Sequence, residues 1–184
     1  MAQIVHLSGT SEVPKEVFFN SDPLEVDGLQ TGYRWQTLPD VAGFASMATL
    51  NEAARELIES GALAHLVTIN PDGSPQVAIV WVGLDGDELI AGHLAGSQQK
   101  LGNIRRDPRV VVSFEGSGST YGMRHYLVVH GTAHVTEGGA PELLHRLAQT
   151  YIGPGTDFPP MPNPPAGFIS HIRVERIGGM GPWV

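Results

Sequence analysis

Apolar residues along the chain fall into short runs with a two-residue period, interrupted by a few segments of helical period. Leu50, Ala53, Ala54, Leu57 and Ile58 recur at helical spacing and predict a helix over residues 51–60, with Thr49 as N-cap and Gly61 at the stop position. Residues 63–70 and 75–82 are β-rich runs around Pro71-Asp72-Gly73, the pattern of an antiparallel hairpin. A third run, 88–93, follows the Asp85-Gly86-Asp87 turn. Ser97 is the predicted cap of a short helix ending near Arg106, because Asp107 precedes Pro108 and is pushed out of the α region. Runs 109–115 and 125–136 read as long strands.

Gly138-Gly139 and Pro141 introduce a helix over 142–151, with Leu143, Leu144, Leu147 and Tyr151 as its stripe. A proline-rich loop, 153–167, separates it from a last strand, 168–177, and a Gly-Pro-Trp tail. Six strands with few helices predict a mainly β fold, a small antiparallel barrel with peripheral helices, rather than a doubly wound parallel sheet. Residues 1–39 have weak periodicity and many turn formers and read as an N-terminal extension to a single domain over 40–184. Within the extension, Val13, Val17, Phe18, Phe19, Leu24, Tyr33 and Trp35 make docking the expectation rather than disorder.

Composition narrows the chemistry. The chain has 184 residues and a formal net charge of −8, which argues against a general nucleic-acid or membrane-surface binder. It has no cysteine, so disulfides, thiolate metal sites and cysteine nucleophiles are excluded. No apolar run approaches the roughly 18 residues of a membrane span, and no signal-like N-terminus is present, so the expectation is a cytoplasmic protein.

Against this acidic background, Gly96 to Pro108 stands out. Four of the eleven Lys and Arg residues, Lys100, Arg105, Arg106 and Arg109, lie within ten positions. A helix start with unpaired N–H groups, a Ser97 hydroxyl and the Lys100 charge one turn in can hold a phosphate. Adjacent helical residues diverge, so Arg105 and Arg106 cannot both face one ligand. Spacing alone leaves open an ordinary Ser-capped helix whose C-terminal cations favour the dipole.

Other readings are weaker. Ser97-Gln-Gln-Lys100 matches the S-x-x-K of serine acyl-enzymes, but the K-T-G and S-D-N partners are missing. His130 and His134 sit in a β-rich run, where four residues span about 13 Å and one metal ion cannot bridge them. No metal site is expected.

From Leu63 onward the chain resembles the split β-barrel, FMN-binding-like flavoproteins of the pyridoxamine-phosphate-oxidase class. Within them it resembles the flavin and deazaflavin oxidoreductases that use coenzyme F-420. The resemblance rests on the 63–82 hairpin with its Asp-Gly turn, Gly-x-Pro and Trp81, on Ser97-x-x-Lys100-x-x-Asn103-Ile-Arg-Arg-Asp-Pro108, on Val-x-Gly-Thr-Ala in 126–135, and on Gly181-Pro182-Trp183. It implies that Ser97, Lys100 and Asn103 hold a cofactor phosphate, that Ala78, Ile79, Val80 and Trp81 lie along the ring or its linker, and that Trp183 closes the pocket. Core packing is the alternative for Trp81, Trp183 and Tyr126.

The resemblance further implies a homodimer with cofactor at the subunit interface. The implied activity is hydride transfer from reduced F-420 to an unsaturated small molecule, with FMN as the alternative cofactor and a non-catalytic flavin or tetrapyrrole binder as a third class. Gln98 and Gln99 depart from the pattern where many relatives carry an arginine. The cofactor carries the chemistry, which accounts for the lack of a catalytic triad; His93 and Tyr126 are the candidate proton donors, and sequence places neither beside a substrate.

Overall fold

The computed structural model describes residues 49–184. The elements run α1 (Glu52–Glu59), β1 (Ala64–Ile69), β2 (Pro75–Val80), β3 (Gly83–Asp85), β4 (Glu88–His93), α2 (Gln99–Arg106), β5 (Arg109–Thr120), β6 (Met123–Glu137), α3 (Ala140–Tyr151) and β7 (Phe168–Met180). The extension expected over 1–39, and with it the 39/40 boundary, lies outside the described residues.

All strand pairings are antiparallel, in the order β2-β1-β5-β6-β7-β4-β3. The pairing alone would allow an open sheet. Burial closes it: Leu66 of β1, Leu89 of β4, Phe114 of β5, Leu127 and Val129 of β6 and Ile172 of β7 are buried in one cluster, so the sheet wraps around a shared core. Alternation makes this possible, since every second residue of β1, β5 and β6 points inward. The result is a mainly β split barrel whose two free edges are β2 and β3.

Three expectations need correction. Seven strands are present among the described residues, not six; the addition, β3, is too short for alternation to register and forms because the turn at Gly86 folds Gly83 and Asp85 back onto Ile90 and Glu88. The N-cap of α1 is Asn51, not Thr49: its side chain accepts from the Ala54 N–H at 2.9 Å. The N-cap of α2 is Gln98 without a side-chain cap bond, not Ser97, because burying Leu101, Asn103 and Ile104 sets the helix start one residue later. In addition β5 and β6 run on through the Gly- and Ser-rich 116–122, pairing Ser119 with Arg124 around a left-handed Tyr121-Gly122 turn.

The Tyr151 hydroxyl fastens the start of β3 to the α1–β1 linker. It accepts from the Val82 N–H at 3.0 Å and lies 3.2 Å from the Ala62 carbonyl and 3.1 Å from that of Val82. Val82 is 1% exposed, so its N–H has no access to water once the hydroxyl is gone. Tyr151→Phe is expected to cost about 1–3 kcal/mol in chemical denaturation; an unchanged midpoint would show that the hydroxyl contributes nothing to this seam.

Candidate functional site

Helix α2 is fixed to the barrel from below. Asn103, 1% exposed, donates through Nδ2 to Thr68 Oγ1 and to Asn70 Oδ1, both at 3.0 Å, while its Oδ1 accepts from Arg106 Nη1 at 3.2 Å. The whole amide is thus committed within the chain. Asn70 also accepts from Gln99 Nε2 at 3.1 Å and donates to Ser74 Oγ at 3.0 Å, which ties the β1–β2 turn to the first turn of α2.

The cations of this stretch then separate. Arg105 lies over the Phe168 ring, 5.1 Å from its centroid. Arg106 donates to the Ile69 carbonyl as well as to Asn103. Arg109 pairs with Asp107 at 2.6 Å, and its hydrogen bonds hold the Asp107 carboxyl down to about 2. Lys100 has no acid and no hydrogen-bond acceptor among the described residues. It is half-buried, and that desolvation pulls its ammonium below the usual lysine range. The first backbone bonds of the helix run from the Leu101 and Gly102 N–H groups to the Gln98 carbonyl, so the N–H groups of Gln99 and Lys100 have no partner within the helix. Ser97 is exposed just ahead of them.

Behind Lys100 stands His93, 3% exposed, with Nε2 2.9 Å from Ser170 Oγ. Burial, and after it the Lys100 charge, push the imidazole down to about 4, with the Gln98 side chain acting in the opposite sense. At neutral pH it is an uncharged packing group out of reach of a ligand.

On β2 the side chains alternate. Val80 is in the core, Ala78 is half-buried, and Ile79 is 60% exposed on the outer face beside Val77. Trp81 leaves the strand and stacks on Tyr151, with ring centroids 5.3 Å apart, and leans on Phe158 at 5.0 Å. Its ring therefore sits in an aromatic cluster between α3 and the proline-rich loop.

Trp183 is held elsewhere. Its Nε1 donates to the Tyr126 carbonyl at 2.9 Å, and its ring meets His125 edge-on at 6.1 Å. A Cβ on Gly181 would come within 2.5 Å of the indole and one on Gly116 within 3.0 Å, so glycine at both positions makes the seat. Asn51 Nδ2 donates to the Pro182 carbonyl at 3.0 Å and ties the tail to the start of α1. Trp183 forms one wall of a groove of about 800 Å³ whose lining includes Leu57, Leu63, His65, Arg124 and His125.

The structure thus gathers Ser97, Lys100 and Asn103 at one end of β1, near Thr68 and Asn70, and the Trp183 groove at the other, near Leu63 and His65. The separation along the strand is roughly 10–16 Å, three to five residues at about 3.3 Å each. Ile79 lies directly opposite His65 across the β1–β2 pair. His65 is the groove residue that sequence reading passed over. Its outward position follows from the alternation of β1, but a lone strand histidine gives no sign that a groove lies beside it.

A family model described as pyridoxamine 5'-phosphate oxidase matches residues 50–179. No curated protein matches the chain. Among solved structures, an F420 reductase shares 28% identity over 70% of this chain and 98% of its own, with a TM-score of 0.57. A conserved hypothetical protein from Mycobacterium tuberculosis shares 28% identity over 73% of this chain and 86% of its own, with a TM-score of 0.55. An FMN-binding protein from Syntrophomonas wolfei, at 15% identity, 71% and 85% coverage and a TM-score of 0.52, shares the fold.

His93 makes stability depend on pH in a defined direction. Its folded value, about 4, lies below the ordinary 6.5, so between these values the unfolded chain binds the proton more tightly and stability falls as pH falls. The loss attributable to this group between pH 7 and pH 5 is on the order of 2 kcal/mol. Denaturation at both pH values should show a smaller difference for His93→Gln than for the native chain; equal differences would remove His93 as the cause.

Proposed function

The chain belongs to the pyridoxamine 5'-phosphate oxidase family, whose model covers more than half of it, and on that premise we propose that it is a cytoplasmic oxidoreductase using reduced coenzyme F-420 on an unsaturated small molecule. The observation that carries the reading is Lys100, a half-buried cation with no counter-ion among the described residues, second residue of a helix whose leading N–H groups have no partner within it. An anionic phosphate supplies what this end of α2 lacks: a partner for the ammonium and acceptors for the N–H groups. The residues therefore fit a phosphate-bearing cofactor. Identity of 28% to an F420 reductase over nearly all of that chain favours the deazaflavin over FMN, for which the FMN-binding protein offers likeness of fold alone.

When bound, the reduced ring supplies a hydride. The chain's own contributions are distinct. Lys100, the Gln99 and Lys100 N–H groups and the Ser97 hydroxyl hold the phosphate, while Asn103 serves by fixing the helix rather than by touching the ligand. Ala78, Ile79 and Val80 offer strand backbone and an apolar flank to the linker or ring; Trp81 stiffens the end of that strand from its aromatic cluster. Trp183 shuts water out at the far end.

A second copy of the chain completes the arrangement. Val77 and Ile79 of β2, Val67 of β1, Val111 of β5 and Val128 of β6 share the outward face, and the two β2 residues are 58% and 60% exposed. Such a surface favours burial against an identical face. A twofold axis across it would bring the Lys100 end of one copy towards the Trp183 end of the other, joining the groups that one copy keeps apart.

Two measurements test this. Lys100→Ala is expected to weaken binding of F-420 by about 10- to 100-fold, the loss of one charge-assisted contact; unchanged affinity would overturn the phosphate site. Protein purified yellow with bound FMN would favour the second cofactor, tight binding without turnover a carrier, and failure to bind either cofactor would overturn the reading. Ile79→Glu is expected to convert a dimer to a monomer in sedimentation; an unaltered dimer would place the interface elsewhere.

A further inference from the structure

Reduction of an unsaturated substrate by a hydride needs a proton as well, and the family likeness names no group to give it. Resting on the oxidoreductase reading, we infer that His65 is the catalytic proton donor: an exposed imidazole on β1, between Ile79 of β2 and Ser113 of β5, at the mouth of the Trp183 groove.

The other candidates are placed differently. His93 is buried and bonded to Ser170. His125 has Nε2 engaged by Thr120 Oγ1 at 2.7 Å, and its ring packs so close to Gly118 that only a residue without a Cβ fits beside it. Tyr126 is 48% exposed but lies on β6 opposite Met180 and Glu115, with β1 and β5 between it and β2. His65 has no hydrogen bond or ion pair to any described residue, so within one copy both of its nitrogens are available to a ligand. It stands directly across from Ile79, on the strand beside the proposed ring position, and an imidazole nitrogen can both hold and give up a proton.

The charged and titratable groups that line the groove with it come from three elements: Glu56 of α1, Glu115 of β5, and Arg124 with His125 of β6. Arg124 and Glu115 pair at 3.0 Å, while Glu56 has no bridging cation among the described residues. β2 presents only Ile79 opposite His65.

The hydride, with its electron pair, goes from the reduced deazaflavin or flavin to the β-carbon of a conjugated carbonyl compound. The C=C electrons move towards the carbonyl, and the developing enolate takes a proton from an imidazolium nitrogen of His65. The substrate is reduced by two electrons, the cofactor is oxidised by two, and the neutral imidazole recovers its proton from water. The substrate class this predicts is a small enone or a similar conjugated acceptor, of a size that a groove of about 800 Å³ admits.

His65→Gln keeps a polar side chain of similar reach without a titrating nitrogen. Three readouts separate the claims. Binding of F-420 should be unchanged in the variant, whereas its loss would make His65 a cofactor ligand and overturn the donor role. Consumption of reduced F-420 with 2-cyclohexen-1-one should fall at least tenfold at pH 6.5, and the decline of rate with rising pH should disappear; an equal rate and profile would overturn the inference while leaving the cofactor reading intact. The third needs no cofactor. Absorbance of p-nitrophenol, an enolate mimic, should show more phenolate on binding to the native chain and not to the variant; if both proteins shift it equally, or neither does, His65 is not the donor. That arm reads proton transfer from His65 apart from the cofactor, so its failure and a failure to bind F-420 are told apart.

Discussion

Helix α2 has eight residues, too few to hold together alone in water. It persists because Leu101 and Ile104 are buried and because the Asn103 amide is taken up by Thr68, Asn70 and Arg106. These contacts fix more than a helix. They decide which side chains of the stretch 97–109 face inward, they lock the β1–β2 turn through Asn70, and they hold Lys100 half-desolvated with no acid beside it. A lysine that could swing into water would keep its hydration; one carried on a helix pinned at the next turn cannot do so fully. The unfavourable state of this cation follows from the same packing that makes the helix, and an anion relieves it.

The barrel was legible in the sequence because its alternation is clean. β4 has the expected limits, and β1, β2 and α3 lie within a residue or two of theirs. What escaped were features set by contacts distant in sequence. β3 exists only as the return arm of a turn, and the extension of β5 and β6 through Gly116 to Gly122 has a composition that reads as loop. The two cap positions moved because burial of Leu101 and Ile104 and the tie between Asn51 and Pro182 outweigh the local preference for Thr49 and Ser97. Sequence cannot show that Pro182 lies beside Asn51, 131 positions away.

The candidate site was legible in its charges and less so in its partners. The cluster of cations was plain, but three of the four are engaged within the chain, which only the structure separates: Arg105 with Phe168, Arg106 with Ile69 and Asn103, Arg109 with Asp107. Trp81 and Trp183 look alike in sequence yet have opposite settings, one stacked in an aromatic cluster and one laid on two glycines beside a groove. His65 carried no signal at all, because its setting depends on a groove assembled from α1, the β5–β6 hairpin and the tail.

The central claim, that Lys100 is the seat of a cofactor phosphate, can be read from the lysine itself. The chain has only two lysines, so carbon-13 labelling at the lysine ε position gives two resonances, and Lys15→Arg assigns them. On titration with F-420 or FMN, the Lys100 resonance should shift, and its titration midpoint should rise as the phosphate replaces the solvation lost to burial. A Lys100 resonance and midpoint that stay fixed while the cofactor saturates the protein would contradict the account.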